Sequence, residues 1–138
     1  MAALCVAAHI HNADAWKWLN LLTRDTKLIF SRYTQLGMLR LLTNQAAMGE
    51  QTLTLKQAWD VYEHWLGDPR VQFYPEPRGV DATFRRATAP FAKQRASKWV
   101  GDCYLLAYAR EVDAHLVTFD RALLEMARRH GYRAVLPD

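Results

Sequence analysis

In Trp99-Val-Gly-Asp102-Cys-Tyr-Leu-Leu-Ala-Tyr-Ala-Arg-Glu-Val-Asp-Ala-His115-Leu-Val-Thr118-Phe-Asp120, an apolar helical pattern is followed by a short hydrophobic strand. The spacing predicts a helix over 102–112 and a strand over 115–118. One aspartate then opens the helix and a second lies just past the strand. In a parallel α/β unit, the loop before a helix and the loop after a strand both lie along the C-terminal edge of the sheet, where such folds build their sites. Two carboxylates brought together there repel each other unless a cation sits between them. Hard oxygen ligands favour Mg²⁺ or Mn²⁺, so the segment points to metal-dependent chemistry on phosphate.

The rest of the chain fits around that unit. Its 138 residues, 51% of them hydrophobic, suit a single domain over 1–138 with a real core. A net charge of +4 and a pI near 9.3 permit a polyanionic partner without requiring one. Cys5 and Cys103 sit in apolar surroundings without metal-type spacing, which reads as reduced thiols in a cytoplasmic protein. There is no signal-peptide pattern and no apolar run of membrane-spanning length.

Residues 1–8 read as the tail of a buried element. Helical periodicity runs over 12–22, with Ala15, Leu19 and Leu22 on one face. A strand over 27–30 leads to Ser31, which can cap a helix reaching Leu42 with Leu36, Leu39 and Leu42 as its stripe. The pattern breaks over 44–49. Thr54-Leu-Lys-Gln57 fits a capping box opening a helix to Leu66, with Leu55, Ala58, Trp59 and Tyr62 inward. A strand over 71–74 ends at Pro75. Another helix starts at Asp81 and meets Pro90. After the Asp102 unit come a helix over 121–130 and a strand over 133–136. Alternating helices and short apolar strands argue for an α/β fold with a parallel sheet covered on both faces.

Several side chains in this frame can carry chemistry. Asp102 and Asp120 each have an ordinary structural use at the start of a helix, as a cap or dipole partner; the pair is more specific than either member. Thr118 offers a hydroxyl two residues before Asp120, able to orient a carboxylate or bind metal-held water. Arg85, Arg86, Lys93, Arg95 and Lys98, with Phe84, Phe91 and Trp99 interleaved, form a basic stretch that can guide an RNA backbone or simply be solvated. Arg121 can likewise contact a phosphate or face water. The five tryptophans read as core and interface residues rather than base platforms. His9-Ile-His11 lacks the further histidines that a metal site needs. No nucleophile elbow or phosphate-cradling glycine loop is present.

With these residues in hand, the chain resembles the PIN-domain ribonucleases of the VapC toxin type. The matching stretches are 9–19, Thr34-Gln-Leu-Gly-Met-Leu-Arg-Leu-Leu-Thr-Asn44, Ala58-Trp59, Asp68-Pro-Arg-Val71, Gly101-Asp-Cys-Tyr-Leu-Leu-Ala-Tyr-Ala109 and Leu116-Val-Thr-Phe-Asp120, in the family's order. The resemblance implies a PIN-like three-layer α/β sandwich, a short parallel sheet flanked by helices. It implies a Mg²⁺-dependent endonuclease (with Mn²⁺ as the alternative ion) that cuts RNA and is inhibited by a cognate antitoxin. It also implies a cytoplasmic homodimer. Asp102 would be the helix-start metal ligand and Asp120 the acidic residue after the strand, with Thr118 beside it. Arg85, Arg86, Lys98 and Arg121 are the expected RNA contacts.

Two positions depart from the family pattern. The family's first carboxylate belongs to an Asp-x-Asn motif on the opening strand, ahead of Met1, so that strand is expected to be truncated. Gln35 falls where many members carry glutamate. Its amide oxygen can bind metal-held water but adds no charge. A catalytically weak or inactive PIN-fold protein that still binds antitoxin or RNA, and a chromosomal RNA-processing nuclease, are the rival readings. An antitoxin helix would find a hydrophobic groove or dimer surface near Leu19, Leu22, Leu39 and Leu42, if these are not plain core.

Overall fold

Short local signals set most of the helix starts in the computed structural model, which describes residues 12–137. Ser31 closes a capping box with Thr34, its side chain accepting from the Thr34 N–H, and opens α2 (Arg32–Leu42). Thr54 and Gln57 form the expected reciprocal box at the start of α4 (Leu55–Leu66). Each box satisfies backbone N–H groups that a helix start otherwise leaves bare. The remaining elements are α1 (Asn12–Leu21), β1 (Leu28–Phe30), α3 (Gln45–Met48), β2 (Val71–Phe73), α5 (Val80–Thr88), α6 (Ser97–Glu111), β3 (Leu116–Val117), α7 (Arg121–Arg129) and β4 (Ala134–Val135). The order is that of the α/β, PIN-like class the sequence suggested. The element expected over 1–8, Cys5 and the His9-x-His11 pair lie outside the described residues.

The chain forms two compact units, one ending at Pro75 and the next beginning at Glu76. In the first, β1 and β2 pair in parallel, Leu28 opposite Val71 and Phe30 opposite Phe73. Phe30 and Tyr62 meet edge to face with centroids 5.3 Å apart, and Leu19, Met38, Leu42, Ala58 and Val71 are buried. Arg70 ties this unit together. Its guanidinium donates to the Leu19 carbonyl at 3.0 Å, adding a second donor to an acceptor at the end of α1, and grips Asp68 at 2.7 Å. That bond holds the Asp68 carboxyl below the usual carboxylate range. In the second unit β3 and β4 pair in parallel, Leu116 opposite Ala134. Both pack on a core of Ala87, Cys103, Leu106, Leu123, Met126 and Ala127.

The structure corrects several side-chain assignments. Leu36, Leu55 and Trp59 are exposed, whereas Gln35, Met38 and Trp65 are buried in their place. Helical spacing ranks apolar faces but does not choose between residues one position apart, and neighbouring elements decide. Leu19, Leu39 and Leu42 are core, and Leu22 is half-buried, so none of the four makes an open groove. Residues 44–49 are not a plain break: Asn44 caps the short α3 through its side chain. The β3–β4 pair is not covered on both faces, because Val117 and Val135 remain exposed.

Candidate metal-binding carboxylates

β3, α6 and α7 deliver the two aspartates. Asp120 is the N-cap of α7. Its Oδ1 accepts from the Ala122 N–H at 2.8 Å and from the Leu123 N–H at 3.1 Å. Thr118 accepts from the Asp120 N–H at 3.0 Å through its hydroxyl oxygen. The turn after β3 is therefore locked by three local side-chain bonds, which fix where the Asp120 carboxylate points. The structural use of Asp120 and its candidate chemical use coexist, since Oδ2 stays outside the cap.

Asp102 is not at the helix start. α6 begins at Ser97, with no side-chain cap from Ala96, so Asp102 stands in the second turn. No strong stop signal separates Ser97 from Asp102, and the helix runs back over residues read from sequence as its approach. Asp102 is half-buried, next to Cys103, which is fully buried and donates its thiol to the Ala87 carbonyl at 3.3 Å. Burial first, then the negative charge of Asp120, pushes the Asp102 carboxyl above the ordinary carboxylate range. The two acids thus sense each other, although α6 and β3 lie between them in sequence. Burial, with Asp102 adding to it, also raises the Cys103 thiol, which makes it a poor nucleophile.

No group of three or more candidate ligands occurs among the described residues. The donor set is two carboxylates and a hydroxyl, all oxygen, which suits a hard divalent ion that keeps several waters. A half-buried carboxylate that also feels the charge of a second one is a fit for a cation rather than for an anion or an apolar ligand.

The other expected site residues each have partners or surroundings of their own. Gln35, in the first unit, is buried and its side-chain oxygen accepts from Arg32, whose guanidinium also lies 4.7 Å from the Phe73 ring centre. Arg85 is exposed and paired with Asp81 at 2.8 Å. Arg86 donates to the Thr83 hydroxyl at 2.8 Å. Lys98 places its ammonium 4.9 Å from the Trp99 ring centre, and Arg121 is the exposed first residue of α7.

One feature near the basic helix escaped the sequence reading. Thr83, fully buried, donates to Glu111, whose carboxylate reaches back to Gly79 at the uncapped start of α5. A Cβ on Gly79 would overlap Glu111 Oε2. The available signal was a glutamate in the last turn of a helix, against the dipole, which implies a partner elsewhere.

No protein-family model matches the chain. Ribonuclease VapC41 of Mycobacterium tuberculosis, from strains CDC 1551 / Oshkosh and ATCC 25618 / H37Rv, is 35% identical over 127 residues. The match covers 89% of this chain and 86% of the relative.

Proposed function

The chain belongs to the VapC-type ribonucleases, and from that membership we propose that it is a divalent-metal-dependent endoribonuclease, the toxin of a toxin–antitoxin pair. The observation that supports the metal dependence is the half-buried Asp102 carboxylate, which feels the negative charge of Asp120 and is paired with no cation in the ion pairs among the described residues. Asp102 and Oδ2 of Asp120 would hold Mg²⁺ or Mn²⁺. Thr118 fixes the turn that aims Asp120 and still has a hydroxyl hydrogen to give to a metal-held water. Such an ion, when bound, polarises a phosphodiester and lowers the pKa of an attacking water. Arg86, Lys98 and Arg121 are the side chains that would neutralise and position the RNA backbone. Arg85 contributes less, because Asp81 already balances it. Gln35 enters this reading as an uncharged oxygen donor whose amide is engaged with Arg32. An antitoxin protein is the inhibitory partner, a second copy of the chain the partner in assembly, and the cytoplasm the compartment. No helix of the described residues is long and apolar enough to cross a membrane.

The test is cleavage of single-stranded RNA with Mg²⁺, with EDTA, and by Asp102→Asn. Cleavage in the first condition alone supports the reading. Equal cleavage in all three rejects the metal mechanism, and none in any of them favours a binding protein that does not cut.

A further inference from the structure

A groove of about 450 Å³ runs beside the first turns of α6, bordered by Arg85, Phe91, Gln94, Ser97, Trp99 and Val100. Phe91 and Trp99 stack along it with centroids 5.4 Å apart and planes 18° from parallel. Val100, 52% exposed, leaves apolar surface beside the stack. The chain around the groove is one-signed. From residue 82 to residue 101 it carries Arg85, Arg86, Lys93, Arg95 and Lys98 and no acid, between Asp81 and Asp102. None of the ion pairs among the described residues involves Lys93, Arg95 or Lys98. Flat rings, open apolar surface and unbalanced cations fit one kind of occupant, a polyanion that carries flat apolar faces. A duplex hides those faces in its own stack, whereas a single strand can splay them out.

We infer that this groove is a subsite for one unpaired base of an RNA strand, stacked on the Phe91–Trp99 pair in place of the exposed Lys98 side chain, whose ammonium lies over the Trp99 ring in the free protein and swings out toward the backbone. Gln94 and Ser97 supply hydrogen bonds to the base edge, and Lys93, Arg95 and Lys98 neutralise the flanking phosphates. The inference rests on the ribonuclease reading for its link to cleavage. Lys98 and Trp99 precede Asp102 by four and three residues, one turn back on the same side of α6, a rise of about 4.5–6 Å. A base seated there belongs to a nucleotide at or next to the phosphate presented to Asp102 and Asp120. The subsite would therefore bias which base borders the cut.

Binding in EDTA tests the subsite apart from the chemistry. The probes are a labelled single-stranded RNA of mixed sequence, a ribose-phosphate strand of equal length without bases, and an RNA duplex, followed by fluorescence anisotropy. The single strand is expected to bind about fivefold or more tighter than the baseless strand, with the duplex resembling the latter. Trp99→Leu should erase that margin while leaving baseless-strand affinity unchanged. Because Trp99 packs on the core, Val100→Asn, at an exposed position, serves as a second variant and should reduce the margin too. Lys98→Ala should weaken both strands alike and lower the salt slope by about one. Equal affinity for strands with and without bases overturns the subsite, as does a margin untouched by both groove variants. RNA cleavage with no such margin leaves the ribonuclease reading standing without the subsite. A margin without Mg²⁺-dependent cleavage leaves the subsite standing without the ribonuclease.

Discussion

Asp102 and Asp120 do different physical work in the fold. Asp102 is a carboxylate the fold disfavours. Its folded pKa lies above the unfolded value near 3.8 because burial and Asp120 oppose its charge. The folded state therefore holds its proton longer than the unfolded state. The metal-free protein loses stability as pH rises through the window from 3.8 to the raised value, and the full deficit is present at neutral pH. Asp102→Asn removes the charge with little change in shape. Without metal at neutral pH its Tm should rise by about 2–4 °C, read by calorimetry, while cleavage is lost. Asp120 instead serves the fold, because its side-chain oxygen caps a helix. Asp120→Asn keeps an oxygen for the Ala122 and Leu123 N–H groups and should hold Tm within about 1 °C of wild type while abolishing cleavage. Asp120→Ala should lose cleavage and also about 1 kcal/mol of stability in urea unfolding.

At the level of helices and strands, stability follows burial rather than residue type. Leu42 is 1% exposed and Leu36 is 51% exposed, on the same helix. Leu42→Ala should cost about 2–5 kcal/mol, and Leu36→Ala less than about 0.5 kcal/mol, by denaturant midpoint. The join between α5 and α6 offers a sharper case. Gly79→Ala drives the Glu111 carboxylate from Thr83, leaving a buried hydroxyl without its charged acceptor, at a cost of about 1–2 kcal/mol. In a Glu111→Ala background the three atoms nearest to the new Cβ are gone, and the φ of −78° is an ordinary one for alanine. There it should stabilise by about 0.4–1 kcal/mol through the unfolded chain. A double-mutant cycle reads that change of sign.

Elements whose signals are local were legible in advance. Ser31, Thr54-x-x-Gln57 and Asp120 start helices through bonds made within three residues, and all three work as the sequence suggests. The four strands among the described residues were recognisable as apolar runs bounded by turn residues, within one or two positions at each end. The start of α6 was not legible, because Ala96 offers no capping atom and the helix simply extends back to Ser97. Gln35 going inside while Leu36 stays out, and Trp65 being buried before Trp59, are decided by partners distant in sequence. Gly79 against Glu111 is of the same kind. For the site, the cap made by Asp120 was readable from its place just after the strand, whereas the half-burial of Asp102 came only with the fold.

For the whole molecule, a net charge of +4 and an acid-free run ahead of Asp102 make association with RNA electrostatic in its first phase. A bound ion would reverse the deficit at the acids. Titrating Mg²⁺ should raise the wild-type Tm continuously, by about 1.4 kcal/mol of added stability at ten times the dissociation constant, and leave Asp102→Asn nearly unmoved. A flat response in both proteins would show that the acids hold no ion. The capping role of Asp120 bears on how such a chain would decay once its activity ceased to matter. Substituting Asp102 relieves repulsion, whereas substituting Asp120 by anything but another capping residue unravels the start of α7. Drift in a silenced copy would therefore erase Asp102 first, and a retained Asp120 would by itself be poor proof of a working nuclease.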